Sequence, residues 1–306
     1  MAGIPEVEFI WKNGELVPWD QATTHVLSHS LNYGSAVFEG LRAYKTDKGA
    51  AIFRLRDHME RLVNSAKMTF MDIPYSVDEL CEATIKVVKE NNLPSCYIRP
   101  IAYRGYGSLG VDPRNAPVEI AIAAWPWEAY LGADALKHGV DVMVSSWRQR
   151  SANSTPPGIK AAGSYFNSAL AHMEAEMNGF TEAILLNEDG KVCEGSGENL
   201  FIVKKGKVMT PPLSDGLLEG ITRDSVITVA KDLGYEVLEC SLVRSQLYTA
   251  DEVFFTGSAA ELTPIASVDR REIGKPGEIT KAIQARFFDI VGGKVEEHKD
   301  WLTYVG

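Results

Sequence analysis

The chain has 306 residues, with 31 Lys plus Arg against 41 Asp plus Glu, which gives a formal net charge of −10 at pH 7. Its 45% hydrophobic and 24% charged residues exclude intrinsic disorder, and at about 150 residues per domain its length predicts two domains. The acidic balance argues against a nucleic-acid partner, because phosphate binding needs a basic stripe. The densest cationic group, Arg148 with Arg150, is interpreted as a solvated surface.

The first 19 residues contain three glutamates and a lysine, so they lack the cationic start and apolar stretch of a signal peptide. No apolar run approaches the ~20 residues that cross a bilayer. The four cysteines are far apart and form no CxxC pair, which predicts reduced thiols and neither a zinc site nor a disulfide framework. We therefore expect a cytoplasmic protein with no membrane span.

The first 125 residues predict a small α+β unit. Asn13-Gly14 lies between two β-rich runs, 9–11 and 15–17, and predicts the turn of a hairpin. Asp57 is predicted as a helix N-cap, because apolar residues recur at helical spacing after it. The other predicted elements here are strands at 40–44, 51–54, 97–103 and 119–125 and a second helix over 76–90.

The pattern of strands and helices restarts at about residue 140, after a linker over 127–137. We therefore predict a small domain over 1–126 and a larger domain over 138–306. The elements predicted in the larger domain include a strand at 141–145, helices over 164–178 and 222–234, and a buried strand at 252–255.

Two patterns suggest sites that their context does not support. Gly105 to Gly110 matches the G-x-G-x-x-G pattern of dinucleotide-binding folds, but that fingerprint must open a helix. Pro113 and Pro117 follow here, so we predict a flexible loop over a pocket. His25 and His29 have no third ligand at metal spacing, and no metal is expected.

The segment from 156 to 165, PPGIKAAGSY, places Lys160 among small residues just before a predicted helix. The helix macrodipole disfavours a cation at that end, and the small neighbours let a flat ligand approach the amine. Such a lysine, with Tyr165 five positions later, suits a Schiff base to an aldehyde cofactor whose phenolic oxygen needs a donor. On this segment alone, an exposed surface lysine remains the alternative.

Groups that suit the rest of such a cofactor occur later in the chain. Gly220-Ile221-Thr222 opens a predicted helix with N–H groups for a phosphate, and 256–259 offers a second turn of donors. Glu194 lies in a Gly/Ser-rich segment, predicted to be a loop, where it could meet a protonated pyridine nitrogen. Each has a plain alternative, with Thr222 as an N-cap and Glu194 as a solvated acid.

Short motifs spread along nearly the whole chain form one ordered set: Trp11-Lys12-Asn13-Gly14, Ser28-His29-Ser30-Leu31-Asn32-Tyr33-Gly34, Val37-Phe38-Glu39-Gly40, Glu60-Arg61-Leu62, Tyr97-Ile98-Arg99-Pro100, Lys160-Ala161, Glu194-Gly195-Ser196-Gly197-Glu198-Asn199-Leu200-Phe201, Gly220-Ile221-Thr222-Arg223 and Gly257-Ser258-Ala259-Ala260-Glu261. In this order they resemble the branched-chain amino acid aminotransferases, the pyridoxal 5′-phosphate enzymes of fold type IV. The resemblance implies an α/β (α+β) fold with a small N-terminal domain and a larger cofactor-binding domain. Tyr97-x-Arg99 is the feature that resembles the branched-chain group in particular.

The resemblance also implies roles for single residues. Lys160 would hold pyridoxal 5′-phosphate covalently and then move the proton between Cα of the substrate and C4′ of the cofactor. Tyr165 would donate to the ring oxygen, and Glu194 would keep the pyridine nitrogen protonated. The residues implied to hold the phosphate are Arg61, Ile221, Thr222 and Ser258.

The implied substrates are branched-chain L-amino acids and 2-oxoglutarate. Their carboxylate would meet the Tyr97 hydroxyl and the N–H groups of Ser258 and Ala259. Arg99 would pair with the distal carboxylate of glutamate, and the alternative is a structural pair with a carboxylate of the protein. The implied side-chain pocket comprises Phe38, Trp127, Tyr130 and Tyr165, closed by the partner subunit's Tyr33, Leu109 and Val111.

A homodimer is therefore the expected minimum unit, and a homohexamer of three dimers is compatible with it. The sequence departs from the family pattern at Ser258, where threonine is expected, and at Glu128, where a small residue is common. Glu128 would add an acid beside the side-chain pocket. The alternatives within the fold are a D-amino acid aminotransferase and an aminodeoxychorismate lyase, and both would lack Tyr97-x-Arg99.

Overall fold

The structure, a computed structural model, describes residues 3–127 and 131–306. The helices in this part of the chain are α1 His29–Tyr33, α2 Leu55–Met68, α3 Val77–Glu90, α4 Ala133–His138, α5 Tyr165–Met177, α6 Ile221–Asp232, α7 Arg244–Tyr248 and α8 Glu278–Val291. The strands are β1 Phe9–Lys12, β2 Glu15–Pro18, β3 Ala36–Phe38, β4 Leu41–Thr46, β5 Gly49–Phe53, β6 Cys96–Arg104, β7 Val118–Trp125, β8 Val140–Arg148, β9 Glu182–Leu186, β10 Val192–Gly195, β11 Asn199–Lys204, β12 Lys207–Thr210, β13 Val237–Glu239, β14 Glu252–Gly257, β15 Glu261–Val268, β16 Arg271–Glu272 and β17 Leu302–Tyr304.

The chain divides into two compact units. The first consists of Met1–Trp127, Ile159–Ser164 and Asp289–Gly306, and the second of Glu128–Gly158 and Tyr165–Phe288. Two late segments group with the first unit because they pair with its strands. Ala161 forms an antiparallel bridge with Val37, and β17 pairs with β5. The predicted division into domains at 126 and 138 stays a prediction.

The first unit contains an antiparallel sheet with the strand order β17-β5-β4-β6-β7-β1-β2, and β3 also pairs with β6. The helices α2 and α3 pack on this sheet and bury their apolar faces. Met59 and Leu62 from α2 and Leu80 and Val87 from α3 have no exposed surface. Burying each such side chain contributes about 1.5–3 kcal/mol, so this layer supplies much of the stability of the unit.

Local sequence chemistry explains two of its elements. The hairpin β1–β2 turns at Asn13 and Gly14, which both have positive φ, as its tight two-residue turn requires. The helix α3 starts with a capping box in which the Ser76 hydroxyl accepts from the Glu79 N–H while the Glu79 carboxylate accepts from the Ser76 N–H. The predicted turn and the predicted helix over 76–90 are confirmed, whereas the capping box was not predicted.

The predicted N-cap of the first long helix is wrong. The helix α2 begins at Leu55, and its N-cap is Arg54, in the left-handed conformation with φ 49°. Asp57 lies inside the first turn, where its carboxylate accepts a hydrogen bond of 2.5 Å from the Arg54 side chain. An acid in the first turn interacts favourably with the helix dipole, so it resembles a cap in sequence.

The second unit is built around a mixed sheet with the order β10-β9-β8-β15-β14-β11-β12-β13, with β16 on β15. The strand β8 pairs in parallel with both β9 and β15. Alternate residues of β9 enter different clusters, Ile184 and Leu186 on one face and Ala183 and Leu185 against α5 on the other. The sheet is therefore covered on both faces, as its continuous apolar runs predict.

Within the described ranges, no helix has both the length and the apolar character that crossing a bilayer requires.

Candidate active site

Lys160 lies in a short extended segment at the edge of the first unit's sheet. Its carbonyl accepts a hydrogen bond from the Phe38 N–H at 3.0 Å, and its own N–H donates to the Ser65 hydroxyl at 3.3 Å. The half-buried side chain places Nζ 5.2 Å from the centre of the Phe38 ring. A turn of 3₁₀ helix, Ala162–Ser164, then leads into α5, so the predicted helix after Lys160 is confirmed.

Close backbone packing explains the small residues that follow Lys160. The Gly163 N–H donates to the Gly34 carbonyl at 3.2 Å. A Cβ on Gly34 would lie 2.8 Å from Cα of Gly163, and Gly34 also has a φ of +69°. Only glycine fits there, so the lysine segment is held against the end of α1 by main chain alone.

Arg61 belongs to a buried charged cluster of the first unit. Its Nε and Nη2 donate to the two oxygens of Glu39 at 2.6 and 2.7 Å, a bidentate pair. His58 Nδ1 lies 2.8 Å from Glu39 Oε2. Burial alone would raise the pKa of Glu39, but the nearby charge of Arg61 and hydrogen bonds from Arg61 and His58 hold it well below its usual value.

Sequence reasoning nominated Arg61 and missed Glu39 and His58 as its partners. One sequence feature could have indicated these partners: Glu39 is an acidic residue directly after the apolar strand β3. In the structure β3 is fully buried and Glu39 has no exposed surface. A buried carboxylate requires a cationic partner. The partner lies 22 positions away, so spacing along the chain could not identify it.

An aromatic cluster that includes Arg99 forms on and beside β6. Tyr97 and Arg99, two residues apart, lie on the same face, and Arg99 Nη2 donates to the Tyr97 hydroxyl at 3.2 Å. The Arg99 guanidinium carbon lies 4.7 Å from the centre of the Phe38 ring, and the rings of Tyr97 and Trp127 are 4.6 Å apart. A Cβ on Gly40 would lie 1.9 Å from the Tyr97 oxygen, so glycine is required beside it.

The first unit thus brings Phe38, Tyr97, Arg99 and Trp127 together, and their role as a substrate pocket stays a prediction. It adds the buried Arg42, which sequence reasoning missed and which donates from Nη1 to the Trp127 carbonyl at 3.2 Å. Of the other predicted pocket residues, Tyr165 begins α5, and Tyr130 lies outside the described residues, as does the departure at Glu128.

Glu194 lies on β10, not in the predicted loop, which begins only after Gly195. Its neighbouring strand residues are held by pairing with β9, so the glycine and serine content misled the prediction. Oε1 accepts from the Gln149 amide at 2.5 Å, and Oε2 accepts from the Asn199 amide at 3.2 Å and the Leu218 N–H at 3.0 Å. These three neutral donors orient both carboxylate oxygens.

The prediction of a solvated Arg148–Arg150 surface is wrong for Arg150. That side chain is partly buried, and its Nε and Nη1 atoms have no hydrogen-bond partner. Burial lowers the pKa of Arg150, whereas the nearby Glu194 and Tyr165 raise it. The second unit therefore places buried cationic N–H groups close to the two residues predicted to hold a pyridine ring.

The remaining predicted donors of the second unit lie at the start of α6 and after β14. Thr222 is buried in the first turn of α6, and the N-cap is Gly220, not Thr222. A Cβ on Gly220 would lie 1.8 Å from the Asn199 side-chain oxygen, so this helix start is packed on a residue that also holds Glu194. Ser258 and Ala259 form the turn after β14. A helix start of this kind suits an anion.

Residues 105–112 form a loop followed by a 3₁₀ turn and β7, so the predicted loop is confirmed and the G-x-G-x-x-G pattern does not open a helix. Tyr33, Leu109 and Val111, predicted to reach a partner subunit, are 53%, 47% and 87% exposed. Across the described residues, no group of three or more His, Cys, Asp or Glu side chains could hold a metal.

Residues 36–268 match the sequence profile of the class IV amino-transferases. The chain belongs to this family of amino-transferases. The chain is 48% identical over 303 residues, 98% of each chain, to the branched-chain-amino-acid aminotransferase of Escherichia coli (strain K12).

Solved structures of similar chains agree. The crystal structure of the Escherichia coli branched-chain amino acid aminotransferase has a TM-score of 0.96 and 47% identity, over 98% of this chain and 100% of that one. The T.th. branched-chain amino acid aminotransferase, complexed with N-(5′-phosphopyridoxyl)-L-glutamate, has a TM-score of 0.94 and 50% identity, over 98% and 99%. The predicted fold type IV and the resemblance to this group are confirmed.

Proposed function

We propose that the protein transfers the amino group of leucine, isoleucine or valine to 2-oxoglutarate, giving branched 2-oxo acids and L-glutamate, the reaction of EC 2.6.1.42. One observation carries the proposal: Lys160 and Arg99 both lie against the Phe38 ring, within 5.2 and 4.7 Å of its centre. A reactive amine, an aromatic wall and a guanidinium for a distal carboxylate are thus combined in one place. The relatives named above favour this reaction over those of the D-amino acid aminotransferase and the lyase.

The residues present fit pyridoxal 5′-phosphate, the cofactor of this family. When bound, the cofactor supplies an electrophilic carbonyl carbon and a protonated ring that accepts electrons as the substrate Cα proton leaves. Glu194, held by neutral amides, suits the ring nitrogen, and Tyr165 suits the ring oxygen. The residues that we assign to the phosphate are Arg61, Ile221, Thr222 and Ser258.

Lys160 has two tasks in this proposal. Its Nζ would hold the cofactor covalently through the aldehyde carbon, with loss of water, and, once freed by the substrate amine, would take up and return the proton at the substrate Cα. The Phe38 ring, 5.2 Å from Nζ, forms an apolar wall beside this amine. The buried Glu39 fixes the guanidinium of Arg61 through two bonds, so the phosphate ligand keeps one orientation.

The substrate carboxylate is assigned to the Tyr97 hydroxyl and to the N–H groups of Ser258 and Ala259. The walls for a branched side chain are assigned to Phe38, Trp127, Tyr130 and Tyr165, with the partner subunit's Tyr33, Leu109 and Val111. Small-molecule amino acids and 2-oxo acids are thus the partners of the site. The four free cysteines suit a reducing cytoplasm, where we place the protein.

A spectrum and one assay test the function. The purified protein is expected to show a visible absorption band from bound cofactor and to convert leucine with 2-oxoglutarate. A band with activity toward D-alanine but not leucine would favour the D-amino acid aminotransferase, and a band with pyruvate release from aminodeoxychorismate would favour the lyase. No band and no activity would overturn the proposal.

We expect a dimer as the smallest active form, because the pocket needs residues from two chains. Three exposed apolar side chains support this expectation, with Val111 87% exposed. Sedimentation velocity at assay concentrations should show a dimer or a larger even-numbered assembly. An active monomer at those concentrations would contradict the assignment of Tyr33, Leu109 and Val111.

Arg99→Ala should slow the glutamate and 2-oxoglutarate half-reactions about 10- to 150-fold, because a charge-assisted hydrogen bond contributes roughly 1.5–3 kcal/mol. The leucine half-reaction should slow far less. The contacts of Arg99 among the described residues are the Tyr97 hydroxyl and two aromatic faces, so no carboxylate there holds it as a structural pair. Its guanidinium can therefore bind a substrate carboxylate bidentately.

Single-turnover absorbance of the cofactor measures each half-reaction separately. Arg99→Lys is the matched control, since it keeps the charge but loses the planar fork, and it should fall between wild type and Arg99→Ala. Equal losses for leucine and glutamate would indicate a structural role for Arg99 instead.

A further inference from the structure

A single histidine, His29, is bonded to the loop 105–112 at two points. His29, in α1, is buried, with 1% of its surface exposed. Its backbone N–H donates to the Gly105 carbonyl at 3.1 Å, and its Nε2 lies 2.6 Å from the Gly110 carbonyl oxygen. The other ring nitrogen, Nδ1, lies 2.7 Å from the Ser35 hydroxyl. The loop is thus joined at two points to one residue of a neighbouring helix.

These partners determine which ring nitrogen carries the hydrogen. A carbonyl oxygen only accepts, so Nε2 of His29 must donate to Gly110. In the neutral ring Nδ1 then accepts from the Ser35 hydroxyl, which can rotate to donate. The Gly110 carbonyl therefore fixes the tautomer, and Ser35 provides the second hydrogen bond that holds the ring.

The loop carries two apolar side chains next to the bonded carbonyl. Leu109 precedes Gly110 and is 47% exposed, and Val111 follows it and is 87% exposed. At its base the loop is fixed by the Gly105 N–H, which donates to the Pro117 carbonyl at 2.8 Å. The bond from His29 is the contact that fixes the carbonyl between Leu109 and Val111, so it sets where these side chains are presented.

We propose that His29 is a positioning residue that holds the loop 105–112 in place through its Nε2–H bond to Gly110. In this way it sets how Leu109 and Val111 meet the substrate side chain in the partner subunit. The second step rests on the proposed function, whereas the first concerns the loop alone. Loss of one neutral hydrogen bond corresponds to about a 2- to 13-fold change in an equilibrium.

Two substitutions distinguish the effect of this hydrogen bond from the effect of side-chain packing at position 29. His29→Gln keeps a donor nitrogen four bonds from Cα, where His Nε2 lies, whereas His29→Asn has its nitrogen at the Nδ1 position and cannot reach Gly110. In the dimeric enzyme with its cofactor, amide hydrogen exchange of peptides covering 105–112 should rise about 2- to 13-fold for His29→Asn and stay near wild type for His29→Gln. The KM for leucine should rise by a similar factor for His29→Asn, with kcat retained.

His25 is the matched control. Its ring packs against Tyr106 of the same loop with centroids 4.3 Å apart, but its ring nitrogen Nδ1 accepts a hydrogen bond from the Leu27 N–H, outside the loop. Gln and Asn at position 25 should therefore give equal exchange. If His29→Asn does not fold, Ser35→Ala is the second variant, and it should raise exchange because the His29 ring loses the second hydrogen bond that holds it.

Equal amide hydrogen exchange in His29→Gln and His29→Asn would overturn the proposal. Wild-type exchange of the loop in both single variants, Ser35→Ala and His29→Asn, would also overturn it. Raised exchange with an unchanged KM for leucine would overturn the second step. The exchange measurement needs no substrate, so it stands apart from the assay of wild-type enzyme with leucine and 2-oxoglutarate, whose failure would overturn the proposed function itself.

Discussion

Lys160→Ala is expected to fold, to bind the cofactor noncovalently and to transaminate at a negligible rate. Folding should persist because the contacts that hold this segment are made by its main chain, with Phe38 and Ser65 as partners. Activity should fall by at least the roughly 10²- to 10⁴-fold that a positioned general base contributes. The rate with leucine and 2-oxoglutarate, measured alongside the cofactor absorbance, tests both parts.

Borohydride reduction of the wild type, followed by peptide mapping, should place the cofactor on Lys160. The control is Lys12→Ala, which removes an amine whose bonds are to the Thr23 carbonyl and, at 3.4 Å, the Glu119 carboxylate. That variant should keep its activity. Label on another lysine would show that Lys160 is not the covalent attachment site.

Local chemistry predicted the elements of the fold well where it acts through neighbours in sequence. The Asn13-Gly14 turn and the Ser76 cap depend on residues within three positions, so the pattern contained all the information. Asp57 failed as an N-cap because Arg54 adopts a left-handed conformation that sequence does not signal. The pairing of Ala161 with Val37 joins residues more than 120 positions apart and was not predictable from spacing.

The candidate site divides in the same way. The motifs nominated Lys160, Arg61 and Glu194, each from its own short segment. The residues that hydrogen-bond to Glu194 and Arg61 were not predicted. Gln149 is 45 positions from Glu194, and Glu39 is 22 positions from Arg61. Such partners satisfy buried polar groups, and only the packed chain determines which donor meets which acceptor.

Glu39→Gln should lower the free energy of unfolding by about 3–5 kcal/mol, the usual cost of breaking a buried ion pair from one side. Glu39 has no exposed surface and Arg61 only 12%, so the substitution leaves a buried guanidinium without its carboxylate. The matched control is Asp78→Asn, since the pair of Asp78 with Arg56 is 71% and 60% exposed. Asp78→Asn should lower the free energy of unfolding by no more than about 1 kcal/mol.

Urea-induced unfolding of holoenzyme, with cofactor in fixed excess, measures both variants. The excess matters because ligand binding adds to apparent stability, and Arg61 is a proposed phosphate ligand. Similar small losses for Glu39→Gln and Asp78→Asn would mean that the buried cluster stabilises the fold no more than a surface pair does.

The same cluster predicts how stability depends on pH. Burial lowers the pKa of His58 more than its bond to Glu39 raises it, so the folded ring stays neutral at pH values where the unfolded ring, with a pKa of about 6.5, gains a proton. Stability from this group is complete above pH ~6.5 and falls below it, by at most about 1.4 kcal/mol per pH unit. Because the pKa of Glu39 is lowered in the folded protein, the free energy of unfolding falls further as the pH drops below ~4.3.

His58→Asn should flatten the decline between about pH 6.5 and 5, because asparagine keeps a donor at the Nδ1 position and does not titrate. His172 provides the opposite sign, since its hydrogen bond to Glu182, 3.1 Å long, raises its pKa. Its stabilisation is complete below the unfolded pKa of about 6.5 and is lost as pH rises through the folded value, so His172→Asn should remove a loss of stability above pH ~6.5 and leave the acid decline unchanged. Urea midpoints measured across this pH range decide the matter, and a decline that His58→Asn leaves unchanged would mean that His58 is already charged in the folded protein.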